Sequence, residues 1–205
     1  MSNLECSLDN EVQNYLEILE KNENVQILQS GSITLTLYKK FLKTFYFIED
    51  LSQKAVYKAA ENTSESNPYL SKRFEFCAQG ELGHAKIALK DLNDLGEETL
   101  ESNNKDLIDE YNEFLQKEAD EYPLGILGHS YLFENVSGIL FPKTSSLDYP
   151  SKFIEVHAKE DPAHSLAIKR TVRNIEEDLD NNDITRIINF SKESGEYLIK
   201  VFESC

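Results

Sequence analysis

The chain holds four histidines, and three of them are spaced from acidic residues in a way that suits metal coordination. In "FIEVHAKEDPAHSLAI", His157, Asp161 and His164 fall at i, i+4 and i+7. That spacing puts them on one helical face, which Ile154 and Ile168 extend above and below. Two imidazoles and a carboxylate on two turns form a donor set that a transition metal accepts. A second acid-x-x-His pair, Glu81 and His84, lies in "GELGH" on a stripe with Leu70, Phe74, Cys77, Ala88, Leu92 and Leu95. Helix bundles hold iron or manganese between helices with this Glu-x-x-His geometry. Glu75 points roughly the other way and reads as a solvent-side charge.

A third acid, Glu134 in "GHSYLFENVSGILF", shares its face with Leu127, Ser130, Tyr131, Ser137, Gly138 and Phe141. Small residues beside an acid on an apolar face suggest a buried carboxylate next to a cavity. His129 on the same helix lies about 140° away and reads as a surface or packing histidine. Glu49 shares a face with Tyr38, Leu42, Phe45, Val56 and Ala60 and is kept as an extra ligand candidate.

Each feature has a plainer reading. Glu81 and His84 alone form a hydrogen-bonded ion pair, and Glu134 bonds a Tyr or Ser hydroxyl. Pro162 allows Asp161 to cap a new helix, which would remove His157 from the shared face. The joint count favours metal, because burying three carboxylates and three imidazoles uncompensated is costly and two bound ions remove most of that cost. With no thiolate in the set, iron is expected over zinc, with manganese the other ion the donors admit.

These residues need helices to position them. Five prolines and eight glycines punctuate the chain, and "SITLTLYK" is the one strand-like stretch. The rest reads at helical period, so an all-α bundle of about seven helices is expected. The expected helices run from Asp9 to Glu20, Ile33 to Ala60, Pro68 to Leu95, a segment ending near Tyr122, Pro123 to Phe141, Lys152 to Leu179, and Ile184 to Phe202. Residues 1–30 are expected as an N-terminal arm with a short helix, and residues 31–205 as one helical domain.

The 205 residues include 21 Lys and Arg against 37 Asp and Glu, a formal charge of -16. Such a surface repels phosphate backbones and anionic lipid, so nucleic acid and membrane are excluded as expected partners. No apolar run reaches the ~18 residues of a membrane span, and the first thirty residues do not read as a signal peptide. Three cysteines far apart, without CxxC spacing, speak against a disulfide scaffold. A cytoplasmic protein is expected.

With these residues in place, the chain resembles the haem-oxygenase-like diiron oxidases and oxygenases, a family that includes CADD-like proteins and shares the TenA/PqqC-like fold. The likeness covers roughly residues 33–205 and rests on "GELGH" (Glu81, His84), "YLFEN" (Glu134) and "HAKEDPAH" (His157, Asp161, His164), in the family's order. The last motif is the most specific. Where some members carry the first acid two turns before its His, this chain has Cys77.

The resemblance implies two iron ions held by Glu81, His84, Glu134, His157, Asp161 and His164. It further implies O2 as co-substrate, a small organic substrate (fatty acid, amino acid or tyrosine-derived), Tyr131 as an outer partner or local electron source, and a homodimer. Two rivals stand beside this reading. One is a metal-free TenA-like hydrolase or small-ligand-binding protein; the other is an iron-storage or regulatory interaction protein. TenA hydrolases use a catalytic Cys, and no neighbour of Cys77 in the sequence marks an activated thiolate. Haem oxygenases hold haem through a histidine of the first helix, and no histidine precedes His84.

Overall fold

A computed structural model describes residues 3–97, 99–101 and 104–204. Ser102 and Asn103, within the polar run "ESNNKD", and Cys205 lie outside the described residues. The described residues form nine α-helices and no strand: α1 (Asn3–Leu19), α2 (Glu23–Gln29), α3 (Leu35–Thr63), α4 (Pro68–Gly80), α5 (His84–Asp94), α6 (Lys105–Glu121), α7 (Gly125–Leu140), α8 (Lys152–Ile175) and α9 (Asn181–Ser204). Short 3-10 turns follow α7 at Phe141–Lys143 and α8 at Glu176–Asp178. None of these helices is long and apolar enough to cross a membrane.

Local chemistry sets the ends. The Asn22 side chain accepts from the Asn24 and Val25 amides to open α2, and Thr34 accepts from Leu37 to open α3. Asn67 caps α4, whose first residue is Pro68, a position where the missing N–H costs nothing. The alternating "SITLTLYK" is therefore no strand. From Leu35 onward it lies in α3, whose apolar residues recur at helical spacing through Tyr38, Phe41, Leu42, Phe45 and Ile48. Residues 3–29 form α1 and α2, and Leu4, Leu8, Leu19, Val25 and Leu28 belong to the common core.

α7 is the central helix, packed against α8 and α9 and buried on almost every side. Its small residues allow this. A Cβ at Gly128 would run into the Ile187 carbonyl of α9, and one at Gly138 would press on the Asp161 backbone of α8 at 3.3 Å. A knot of aromatic rings (Phe41, Phe45, Phe141, Phe153 and Phe202) joins α3, the 3-10 turn after α7, α8 and α9, with ring centroids 4.4 to 6.4 Å apart.

Two expectations about the helices that carry the ligands are corrected. The single helix expected over Pro68 to Leu95 is broken into α4 and α5 at Glu81–Gly83, where Gly83 adopts φ +104°, a left-handed conformation that favours glycine. Conversely, Pro162 does not start a helix. It sits inside a continuous α8, so His157, Asp161 and His164 share one helix after all.

Candidate metal centre

Four helices and one turn bring the acidic and imidazole side chains together. Glu81 follows the last residue of α4 and reaches in from the turn. One of its carboxylate oxygens lies 2.5 Å from His84 Nδ1 and the other 3.0 Å from His164 Nδ1. His164 Nδ1 is also 3.4 Å from Glu134 Oε2, while His157 Nε2 is 3.5 Å from Glu49 Oε1. The His84 and His157 rings stand 4.6 Å apart. Two donor groups result: Glu49, Glu81, His84 and His157 in one, and Glu81, Glu134 and His164 in the other. Within each group the donor atoms lie within 4.8 Å of one another. Glu81 belongs to both.

The donor atoms fit a metal better than they fit each other. His84 Nδ1, His157 Nε2, His164 Nδ1 and Asp161 Oδ2 are buried, yet none makes a well-formed hydrogen bond. The carboxylates stand near enough for ion pairing without completing a hydrogen bond to these atoms. Leaving four such atoms unsatisfied is expensive unless something else occupies that space. His157 Nδ1 donates to the Phe153 carbonyl at 2.8 Å, which leaves Nε2 turned towards Glu49. Metal-binding histidines are commonly oriented by such a bond.

Charges in the cluster interact strongly. Burial works to raise the Glu81 carboxyl, but His164 and His84 beside it bring it down to about 2. Burial holds Glu134 up at about 8 despite its contact with His164, and Asp161 up at about 6. Burial opposes protonation of His157, but Glu49 lifts it to about 10; Glu134 and Glu81 lift His164 to about 11.

The sign of the pH dependence follows. A histidine raised on folding contributes stability that is complete below about 6.5 and is lost as pH climbs through its folded value. Glu134, also raised, favours the proton in the fold, so stability falls as pH rises from about 4.5 towards 8. Glu81 runs the other way, but its stabilisation is already complete above about 4.5. Metal-stripped protein is therefore expected to melt at a lower temperature at about pH 8.5 than at about pH 6. Thermal melts at the two pH values check this, and Glu134→Gln should flatten the difference.

Of the expected ligands, Glu81, His84, Glu134, His157 and His164 are brought into the two groups, and Asp161 faces the same cavity from α8. Glu49, only an extra candidate in the sequence, pairs with His157 directly. Its signal was a lone acid on the apolar face of α3. Tyr131 is corrected: its hydroxyl donates to Asp9 of α1 at 2.7 Å and it does not line the cavity, so it is no neighbour of the cluster. Of the two readings of His129, surface or packing, the packing one holds. It is 1% exposed and faces the cavity from α7. Glu81 and His84 meet across a turn, not along one helix face.

Beside the cluster lies a cavity of about 80 Å³, walled by Phe45, Val56, Phe133, Leu140, Phe141 and Phe202 among others. Among the described residues, neither Lys nor Arg lines it. Cys77 does, and burial pushes its thiol up to about 12.

No family model matches the chain, and no curated protein matches it. Solved structures do. A TenA homologue from Pyrococcus furiosus superposes with a TM-score of 0.83 at 13% identity, covering 98% of each chain. A domain of unknown function with a haem-oxygenase-like fold from Shewanella denitrificans gives 0.78 at 17% identity, over 96% of this chain and 89% of that one. Haem oxygenase-1 from the cyanobacterium Synechocystis, in complex with haem, gives 0.68 at 15% identity, over 98% and 91%. The fold is therefore haem-oxygenase-like and TenA-like. Identities this low carry the fold and no more.

Proposed function

We propose that the chain is a non-haem diiron oxidoreductase that uses O2 to oxidise or cleave a small organic substrate. The observation that carries this reading is the set of three buried, unsatisfied imidazole nitrogens in two donor groups that share Glu81, with the unsatisfied Asp161 Oδ2 facing the same cavity. Glu49, Glu81, His84 and His157 would hold one ion, and Glu81, Glu134 and His164 the other, with Asp161 as a further carboxylate. Iron bound there supplies the electrons for O2 chemistry that no side chain of this cavity offers.

The chain's own residues do the rest. The Phe153 carbonyl fixes the His157 tautomer, and α7 and α8 hold Glu134 and the three α8 donors at a separation set by Gly138. Phe45, Phe133 and Phe141 exclude water and receive the apolar part of a substrate. Burial favours the protonated form of Glu134 in the metal-free protein, and a bound cation displaces that proton, so iron affinity should rise with pH. The TenA-like hydrolase reading is weaker, because a nucleophilic Cys needs a depressed pKa and Cys77 is driven the opposite way.

Elemental analysis after anaerobic Fe(II) loading and desalting tests the proposal. About two irons per wild-type chain are expected, falling to about one or fewer in His164→Ala with helical content unchanged. Near-zero iron in well-folded wild type would sink it.

A further inference from the structure

The cavity has a second polar end. Ser52 of α3 and His129 and Ser130 of α7 line it, with Tyr111 of α6 behind them. Ser52 Oγ and Tyr111 Oη are 2.8 Å apart, and His129 Nε2 lies 3.3 Å from the first and 3.4 Å from the second. His129 Nδ1 is 3.2 Å from Ser194 Oγ of α9. Ser52 comes three residues after Glu49 and Ser130 four before Glu134, so about one helical turn, roughly 5 Å, separates this end from the cluster.

Hydroxyls and a neutral imidazole make a particular kind of receptor. With His129 Nδ1–H donating to Ser194, Nε2 takes one hydroxyl proton and the other hydroxyl donates within the Ser52–Tyr111 pair. Oxygen lone pairs remain to accept from a ligand, and Ser130 adds a hydroxyl that can donate or accept. The partners at this end are hydroxyls and an imidazole bonded to one another, so a charged ligand group seated among them would lose its water with no counter-charge beside it. Burial alone drives the His129 imidazole down to about 3 and keeps it neutral. The volume sets a size limit as well: a dry engineered cavity of about 150 Å³ holds benzene, so this one admits a smaller body unless its walls give.

We propose that Ser52, His129 and Ser130 form a subsite for an uncharged hydrogen-bonding group, of hydroxyl or carboxamide type, on a compact substrate whose other end faces the acidic cluster. The assignment rests on reading that cluster as the metal centre, since it is the substrate-facing end of the same cavity. It narrows the substrate class: free carboxylates and ammonium groups belong at the cluster or outside the cavity, not at this end.

The probes are acetamide, acetate and ethylamine, which share a two-carbon skeleton and differ in charge. Binding is read from the rise in melting temperature with probe concentration, on metal-free and on anaerobically Fe(II)-loaded full-length protein, with iron measured separately. Acetamide is expected to bind metal-free wild type at least about tenfold tighter than either charged probe, and Ser52→Ala and Tyr111→Phe should each reduce that preference several-fold. The preference ratio is the informative quantity, because a merely loosened cavity would weaken all three probes alike. Equal affinity for the three probes, or an unchanged ratio in both variants, overturns the subsite. Preference intact in a chain that takes up no iron supports the subsite and removes the metal centre; preference absent in a chain that binds two irons does the reverse.

Discussion

Glu81→Gln is expected to strip iron from both halves of the centre, taking the metal content from about two per chain to near zero. Each other residue of the two groups serves one group only, so Glu49→Gln or His84→Ala should leave the Glu134–His164 half competent to hold an ion. The difference follows from geometry: the two Glu81 oxygens face different histidines, at 2.5 and 3.0 Å. An amide keeps the shape but offers one weak oxygen acceptor and no charge. The loss should exceed the roughly 10–100-fold that removing an outer partner of a ligand brings. Anaerobic Fe(II) titration followed by elemental analysis measures it, with circular dichroism to confirm the helices. Retention of about one iron in Glu81→Gln would mean that the two groups are independent sites.

The second large effect concerns stability and lies away from the centre. Glu118 on α6 is 2% exposed, and its carboxylate receives a forked contact from Arg186 of α9, one arm of it at 2.7 Å. The carboxylate occupies the space that a Cβ at Gly125 would need, so the α6–α7 junction leaves room for it only because residue 125 is glycine. Arg186→Met leaves a buried charge alone and should cost about 3 kcal/mol, at the lower end for such pairs because the guanidinium is partly exposed. For a domain of this size that is a fall in melting temperature of roughly 6–12 °C. Glu118→Met together with Arg186→Met should recover most of it, since two apolar groups need no partner. A single variant that melts like wild type would show that Glu118 finds water or a proton at little cost.

Much of the centre could be read from spacing alone. His157, Asp161 and His164 recur at helical period on an apolar stripe, and they do share α8. The period is blind to local breaks, however. Apolar residues on both sides of Glu81 keep helical phase through Leu95, so the left-handed turn at Gly83 left no trace in the pattern. Pro162 misled in the other direction, because the packing of α8 against α7 outweighs one missing backbone bond. Tyr131 shares a helical face with Glu134 in projection, yet α7 is surrounded, and Asp9 offered its hydroxyl a partner that only the docking of α1 reveals. His129 could be left only as surface or packing for the same reason: on a helix buried on nearly all sides, an angle from the apolar face does not mean exposure. Glu49 needed a partner from far along the chain, and sequence distance hides such pairs.

That distance matters for how the protein is made. The clustered side chains come from α3, the α4–α5 turn, α5, α7 and α8, so neither donor group exists in any local fragment of the chain. Synthesis from the N-terminus delivers Glu49, Glu81 and His84 long before α8 emerges with His157 and His164. A cation can therefore be captured only late, after the bundle has closed, and cannot serve as the nucleus around which folding begins. In kinetic terms an ion that binds only the closed bundle should slow unfolding and leave the folding rate nearly untouched.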